Sequence, residues 1–378
     1  MGVSDISLRR RSAGGLLHLT SLRGTYGFGD LGPEARRTAD FLAAAGQRWW
    51  QMLPVGPTGA GNSPYSSPST FAGNPLLISL EDLVEDGLLQ PQDLEVSEAF
   101  PSDKVNFEAV GKFKEDRLRK AFAQFTQEKH DALWAGFKDF YRDYSRWVDD
   151  YAFFLVLKAK YGQASWAQWP EEARLRQFRR WGQQSLRSFG ESVFYHQFVQ
   201  FIFHRQWRRL RDYCSERGIG LIGDVPIFVA YESADVWAHP ELFQLDEQGK
   251  PLVVSGVPPD YFSETGQLWG NPHYRWDVLK KNGYSWWIER LRSTAERFNA
   301  VRLDHFIAFQ NYWEIPANAL TAKEGRWVPG PGADFFEKVA AELKTLELIA
   351  EDLGAVTPEV MALRDKFDLP GMRVLQFA

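Results

Sequence analysis

Cysteine is almost absent from this sequence. Cys214 is the single cysteine in 378 residues, so no disulfide can form within the chain, which suits a reducing compartment. We therefore expect a cytoplasmic protein.

Long apolar runs are missing as well. None reaches the roughly 18 residues that mark a membrane helix, and the apolar run after Arg11 is too short for an export signal. We expect no association with a membrane.

Excess positive charge and a phosphate-binding motif are also lacking. The formal net charge is -5, which argues against nucleic acid as a partner because phosphate neutralisation needs a basic face. The glycine-rich segment 56–68 lacks the lysine of a P-loop, and its prolines remove amide donors. We interpret it as a rigid rim loop that presents Tyr65, with a purely structural cluster of turns as the alternative. His196 and His204 form only a weak metal pattern, and we expect no metal and no cofactor.

Aromatic residues, in contrast, are abundant. The chain has 15 Trp, 13 Tyr and 28 Phe. Trp and Tyr rings stack on the apolar faces of sugars while their polar edges reach hydroxyl groups. Most of these rings must belong to the core, but the composition favours a carbohydrate as the partner.

Three short apolar segments each end at an acidic residue. They are 219–223 before Asp224, 299–303 before Asp304, and 346–350 before Glu351. Helical periodicity over 335–343, between the last two segments, is what a strand-helix-strand unit with parallel strands requires. One such acid is as often only a helix N-cap. Three in successive units favour an α/β fold of the TIM (β/α)8-barrel type, with its site at the C-terminal ends of the strands.

The rest of the chain is predicted to be organised around these strands. Residues 1–80 would carry the rim loop and the first two barrel strands, at 15–19 and 49–55. Residues 81–190 would form an inserted, mainly helical subdomain. Residues 191–378 would hold strands 3 to 6, with the sixth strand within 372–377. The segment 255–275 is long, non-periodic and rich in aromatics. Segments of this kind inside a compact domain are usually functional, so we expect a lid over a sugar.

Two of the strand-end acids suggest a reaction. Carboxylates on neighbouring strand ends can lie about 5 Å apart, the separation of a nucleophile and an acid/base in a retaining glycosidase. Asp304, flanked by Arg302 and His305, is expected to stay ionised because nearby positive charge or hydrogen-bond donors favour the anion. Glu351, close to that negative charge, is expected to have a raised pKa and to hold its proton until it donates it.

Four motifs carry a resemblance to a known family. They are Val301-Arg302-Leu303-Asp304-His305-Phe306, Ala350-Glu351-Asp352-Leu353-Gly354, Gly223-Asp224-Val225-Pro226-Ile227-Phe228 and Val257-Pro258-Pro259-Asp260-Tyr261-Phe262-Ser263. The chain resembles, from its first strand to its last residue, the amylomaltases, which are the 4-α-glucanotransferases of glycoside hydrolase family 77. The resemblance implies that Asp304 is the nucleophile and Glu351 the general acid/base. It also implies sugar-contacting positions, which are Tyr65, Asp224, Asp260, Trp269, Arg302 and His305.

One feature departs from the family pattern. The resemblance implies a third catalytic carboxylate, in a His-Asp motif on the seventh strand, and the sequence stops at Ala378 in the predicted sixth. We therefore expect a C-terminally truncated chain whose barrel lacks the last two strands.

The resemblance also implies the reaction, which is retaining transfer of α-1,4-glucan segments to the 4-hydroxyl of an acceptor glucan or glucose, with maltooligosaccharides or amylose as partners. The alternatives are an α-glucan hydrolase on the same barrel, which would yield only shorter sugars, and a non-catalytic glucan-binding protein.

Overall fold

The computed structural model describes residues 6–97, 99–101, 103–128, 130–176 and 183–377. Its contacts divide the chain into two compact units. The first unit comprises Met1–Pro64, Phe71–Ala164 and Pro170–Leu221, and the second comprises Tyr65–Thr70, Ser165–Trp169 and Ile222–Ala378. These units follow spatial contacts, and the predicted domain boundaries at 80 and 190 stay a prediction.

The first unit is mainly helical, as the sequence indicates. Its strands are β1 (Gly14–Leu16) and β2 (Trp49–Gln51), which pair in parallel, and its helices are α1 (Pro33–Ala44), α2 (Leu80–Glu85), α3 (Phe107–Gln127), α4 (Asp131–Lys160), α5 (Glu171–Arg174) and α6 (Gln183–Glu216). The two strands are shorter than the predicted 15–19 and 49–55. Residues 177–182, part of the predicted helical subdomain, lie outside the described residues.

Local chemistry explains where α1 begins and ends. Pro33 occupies the first helical position, where its missing N–H costs no hydrogen bond, and Gly46 follows the helix with φ at +71°. A left-handed residue just after a helix is easiest for glycine because it has no Cβ. The helical core of this unit is aromatic: Phe125 stacks on Trp134 with ring centroids 4.4 Å apart, and Phe198 lies 4.9 Å from Phe125.

The second unit contains parallel strands with helices between them. Its strands are β3 (Gly220–Pro226, which begins in the first unit), β4 (Val253–Val257), β5 (Gln267–Pro272), β6 (Ala300–Asp304), β7 (Asn311–Pro316), β8 (Arg326–Pro329) and β9 (Glu347–Ala350). Its helices are α7 (Ala234–Ala238), α8 (Trp276–Lys281), α9 (Ser285–Arg297), α10 (Gly332–Glu342) and α11 (Pro358–Lys366). β6 lies between β3 and β9 and is parallel to both. The predicted strand-helix-strand unit from Asp304 to Glu351 is therefore confirmed, with α10 as its helix.

The lid segment is not the irregular loop that its glycines and prolines suggested. β4 and β5 form an antiparallel pair, so only 258–266 between them is a loop. β4 also pairs with β7, and β7 with β8, which completes a four-stranded antiparallel sheet that the sequence pattern does not predict. Antiparallel pairing supplies partners for the backbone groups, which explains why a segment without clear alternation is still a strand.

The predicted sixth strand is also wrong. Within 371–377 the chain has no strand, and Leu375–Phe377 form a 3-10 turn. The Met372 amide donates to the Asp352 side chain at 2.7 Å, so this backbone group is satisfied by a carboxylate and not by a neighbouring strand. Among the described residues, no helix is long and apolar enough to cross a membrane.

Candidate active site

The register of the parallel strands brings the predicted acids together. Asp224 on β3 lies directly opposite Arg302 on β6, and Leu303 lies opposite Ala350 on β9. The next step along both strands places Asp304 beside Glu351, and the Glu351 amide donates to the Leu303 carbonyl at 3.1 Å. Because side chains alternate along a strand, residues 302 and 304 project from the same face. The strand ends therefore present three carboxylates and one guanidinium to one side of the sheet.

Arg302 joins two of these carboxylates. Its Nη1 lies 2.8 and 2.9 Å from the two Asp224 oxygens, and its Nη2 lies 2.8 Å from Asp304 Oδ1. Its Nε donates to Met372 Sδ at 3.4 Å. Burial alone would lower the pKa of this guanidinium, but Asp224 and Asp304 together raise it. Arg302 therefore stays positively charged, and its single charge is shared between the two aspartates.

Exposure distinguishes the two aspartates. The Asp224 side chain is 2% exposed, whereas that of Asp304 is 29% exposed. Burial raises the pKa of both groups, that of Asp224 to about 6, and Arg302 opposes the rise in each case. Burial outweighs Arg302, so the guanidinium limits the rise in the pKa of Asp304 without cancelling it, and the predicted ionised state of Asp304 stays a prediction. Asp304 is therefore the more exposed of the two carboxylates.

Glu351 behaves as the sequence predicts. Burial and then repulsion by Asp304 raise its pKa to about 7. Arg302 and the His305 amide, which donates to Glu351 Oε2 at 2.8 Å, pull the pKa in the opposite direction. A second buried negative charge next to Asp304 is unfavourable, so Glu351 holds a proton near neutral pH.

His305 has an unusual backbone conformation and a neutral side chain. Its φ is +56°, in the left-handed region that non-glycine residues rarely adopt, and this conformation accompanies the bond from its amide to Glu351. Burial lowers the pKa of its imidazole to about 4, so the ring is neutral and adds no positive charge beside Asp304. The ring is a polar wall of the site.

Trp269 extends that wall. Its indole meets the His305 ring edge-on, with centroids 4.9 Å apart and planes at 81°, and 39% of the residue remains exposed. Phe228, just beyond β3, lies 6.4 Å from the His305 ring. An exposed indole beside buried polar groups is the arrangement with which proteins stack against sugar rings.

The two predicted loop residues have different surroundings. The Tyr65 hydroxyl donates to Asp224 Oδ2 at 2.8 Å, so this residue joins the carboxylate cluster. Asp260 lies at the tip of the lid, where its Oδ1 accepts from the amides of Phe262 and Ser263, both at 2.8 Å. Its carboxylate therefore shapes the turn that leaves Tyr261 and Phe262 95% and 83% exposed.

A supporting group next to Glu351 was not predicted from the sequence. Asp352 is 4% exposed, bonds to Arg364 Nη1 and accepts from the Met372 amide. A Cβ on Gly371 would lie 2.5 Å from the Asp352 carboxylate, so only glycine fits there. Asp352 thus fixes the segment whose Met372 contacts Arg302. The signal was its place directly after Glu351, but the partners lie 12 and 20 residues away and are invisible to a local pattern.

The described residues contain no group of three or more His, Cys, Asp or Glu side chains placed to hold a metal ion.

Paired carboxylates at the ends of neighbouring parallel strands define a class: barrel-type enzymes with the acids of glycosyl-transfer chemistry. Comparison with known families makes the assignment specific. The family model for 4-alpha-glucanotransferase, glycoside hydrolase family 77, matches residues 17–378, and the chain belongs to that family. The predicted 4-α-glucanotransferase activity is confirmed.

Relatives in several lineages agree with this assignment. A 4-alpha-glucanotransferase from Thermus thermophilus is 50% identical over 97% of this chain and 73% of its own length. One from a Synechocystis strain is 46% identical over 98% of this chain and 74% of its own length. The chloroplastic/amyloplastic 4-alpha-glucanotransferase of Solanum tuberosum is 44% identical over 98% of this chain and 64% of its own length.

Solved structures agree on the fold. An amylomaltase from Streptococcus agalactiae in complex with acarbose superposes with a TM-score of 0.90 at 36% identity, covering 97% of this chain and 74% of that one. An amylomaltase from Corynebacterium glutamicum, 20% identical, has a TM-score of 0.79 over 97% of this chain and 51% of that one. The predicted barrel-type α/β fold is confirmed. The predicted absence of its last two strands stays a prediction.

Proposed function

We propose that Asp304 is the nucleophile and Glu351 the general acid/base of a retaining transfer between α-1,4-glucans. The observation that supports this most directly is the contrast between the two side chains. Asp304 is the accessible aspartate and is paired with Arg302, whereas Glu351 is buried with a pKa raised to about 7. Two neighbouring carboxyl groups in different environments, one exposed and paired with a cation and one buried, are what a nucleophile and an acid require.

In the first step Asp304 attacks the anomeric carbon as Glu351 protonates the leaving glycosidic oxygen. A covalent glycosyl ester forms on Asp304, and the shortened glucan leaves with the Glu351 proton. The ester carries no charge, so the repulsion that holds the pKa of Glu351 high disappears. Glu351 is then a better base and removes the proton of the acceptor 4-hydroxyl, which attacks the ester and restores both carboxyl groups.

The surrounding residues are proposed to bind the glucan. Asp224, held by Tyr65 and Arg302, accepts hydrogen bonds from sugar hydroxyls, and His305 and Trp269 form a wall against which a glucose ring packs. Asp260 contacts sugar from the lid, whose exposed tip excludes water when it covers the site and so favours a glucan acceptor over hydrolysis.

The ligands we propose are maltooligosaccharides and amylose. The structure of the Streptococcus amylomaltase in complex with acarbose supports a carbohydrate ligand. The single buried cysteine supports a cytoplasmic location, where no disulfide is needed.

The roles are tested by a substrate whose leaving group needs no proton. With α-maltosyl fluoride, Glu351→Gln is expected to release a first equivalent of fluoride at a rate close to that of the wild type, because fluoride departs as an anion, and then to slow because the base of the second step is missing. The same variant is expected to lose transfer with maltotriose. Asp304→Asn is expected to lose both activities while keeping the wild-type unfolding midpoint to within a few degrees.

The assay separates the alternatives by their products. Chains longer than maltotriose establish transfer, and exclusively shorter ones would assign a hydrolase. Fluoride release by Asp304→Asn at the wild-type rate would overturn the assignment of the nucleophile.

A further inference from the structure

A short segment of the chain holds one side of the carboxylate cluster. Tyr65–Thr70 belongs to the second unit, although the residues before and after it belong to the first. Tyr65, at the start of the segment, donates its hydroxyl to Asp224. The position of that hydroxyl therefore depends on what fixes the other end of the segment.

Helix α7 fixes that end with three hydrogen bonds. The Ala234 amide donates to the Pro68 carbonyl at 2.8 Å. Asp235, the next residue, accepts from both the amide and the hydroxyl of Thr70, each at 2.9 Å. Both Asp235 oxygens are thus used on a single residue, a two-point attachment that fixes direction as well as distance.

The attachment is buried and rigid. Asp235 is 4% exposed and Ser233, whose hydroxyl caps α7 by accepting from the Val236 amide, is fully buried. The cation Arg290 lowers the pKa of Asp235, although burial has the larger, opposite effect. A buried carboxylate lowers the free energy of unfolding unless hydrogen bonds compensate for its lost hydration. That Asp235 makes these hydrogen bonds with Thr70 therefore calls for a functional explanation.

We propose that Asp235 is a positioning residue for the transfer reaction: by clamping Thr70 it sets where the Tyr65 hydroxyl meets Asp224. It touches neither substrate nor reacting atoms. This inference rests on the site roles proposed above. If the clamp loosens, Asp224 loses the hydrogen bond from the Tyr65 hydroxyl.

The test is a set of variants assayed on maltotriose. Asp235→Asn keeps the shape but replaces one of the two acceptor oxygens with an NH2 group that cannot accept from Thr70. Thr70→Val removes only the hydroxyl donor, and Tyr65→Phe removes the hydrogen bond to Asp224. Loss of a hydrogen bond to a charged group changes an equilibrium constant by about tenfold or more. Asp235→Asn and Tyr65→Phe are therefore each expected to lower kcat/KM about tenfold. Thr70→Val is expected to lower it about threefold.

The double variant Tyr65→Phe with Asp235→Asn separates positioning from general stability. If Asp235 acts through Tyr65, the double variant is expected to be no worse than Tyr65→Phe alone. The acid limb of the pH profile is expected to move to higher pH in both single variants, because Asp224 loses the same donor. Asp246→Asn is the matched control: Asp246 also accepts from two loop amides, of Gln248 and Lys250, and its variant is expected to keep wild-type kinetics.

The outcomes are distinct. Additive losses in the double variant, or wild-type kinetics for Asp235→Asn, would overturn the positioning role while leaving the proposed site intact. Wild-type kinetics for Tyr65→Phe would overturn both the clamp and the role of Tyr65. Should Asp235→Asn fail to fold, Thr70→Val decides by the same cycle, because it leaves the backbone attachment in place.

Discussion

Replacing Glu351, the proposed acid/base, should make the protein more stable above neutral pH. In the folded chain burial and Asp304 raise the pKa of Glu351 from 4.5 to about 7. The folded state therefore binds more protons than the unfolded state between these two values, and the free energy of unfolding falls as pH rises through that window.

The magnitude follows from the difference between the two pKa values. A tenfold change in a proton-binding constant corresponds to about 1.4 kcal/mol, so the rise in the pKa of Glu351 corresponds to at most about 3 kcal/mol once Glu351 is ionised in both states. Because Glu351 is coupled to Asp304, we expect about 1–3 kcal/mol. Glu351→Gln cannot ionise, yet its amide oxygen still accepts from the His305 amide. The variant should therefore be more stable than the wild type by this amount above about pH 7.5, and the difference should shrink towards about pH 4.

Urea unfolding at about pH 4 and about pH 8 measures this difference. Glu324→Gln, a substitution of an exposed glutamate in the same unit, is the control and should show no pH-dependent gain. A stability difference between Glu351→Gln and the wild type that is the same at both pH values would refute the reasoning, as would a variant that is destabilised at the higher pH.

Three further predictions concern activity. The initial rate of maltotriose disproportionation, plotted against pH, should be bell-shaped, with an acid limb near pH 6 from Asp224 and an alkaline limb near pH 7 from Glu351. A plateau extending to about pH 9 would contradict the assignment. Arg302→Met leaves Asp224 and Asp304 buried without their cation, so urea unfolding should show a loss of about 3–5 kcal/mol and transfer should fall at least about a hundredfold. Trp269→Ala removes the indole against His305 and should raise the ratio of hydrolysis to transfer severalfold in product chromatography, whereas Trp327→Ala, another exposed indole of the antiparallel sheet, should not.

Sequence patterns predicted the features that depend on neighbouring residues. Apolar runs ending in acids located β3, β6 and β9, although Asp224 lies inside β3 and not after it. Local chemistry also sets helix boundaries: Pro33 and Gly46 mark the two ends of α1, and Pro358 is the first residue of α11. These signals are local because capping and periodicity involve residues within a few positions of each other.

Features that depend on register and burial were out of reach. The double contact of Arg302 exists because Asp224 lies opposite it, and the two residues are separated by 78 positions. His305 is neutral because it is buried, which a polar residue after a strand does not reveal. The lid hairpin was missed because β5 pairs with β4, and β4 with β7, whereas no pattern inside 267–272 indicates a strand.

Trapping of the covalent intermediate tests the central claim most directly. Glu351→Gln, incubated with α-maltosyl fluoride and no acceptor, lacks the base for the second step and should accumulate the glycosyl ester. Peptide mass spectrometry should then find one maltosyl group on the peptide that contains Asp304. It should find none in the double variant that carries Asp304→Asn together with Glu351→Gln. A maltosyl group on any other carboxylate, or fluoride release without a protein adduct in the intact Asp304 background, would contradict the account.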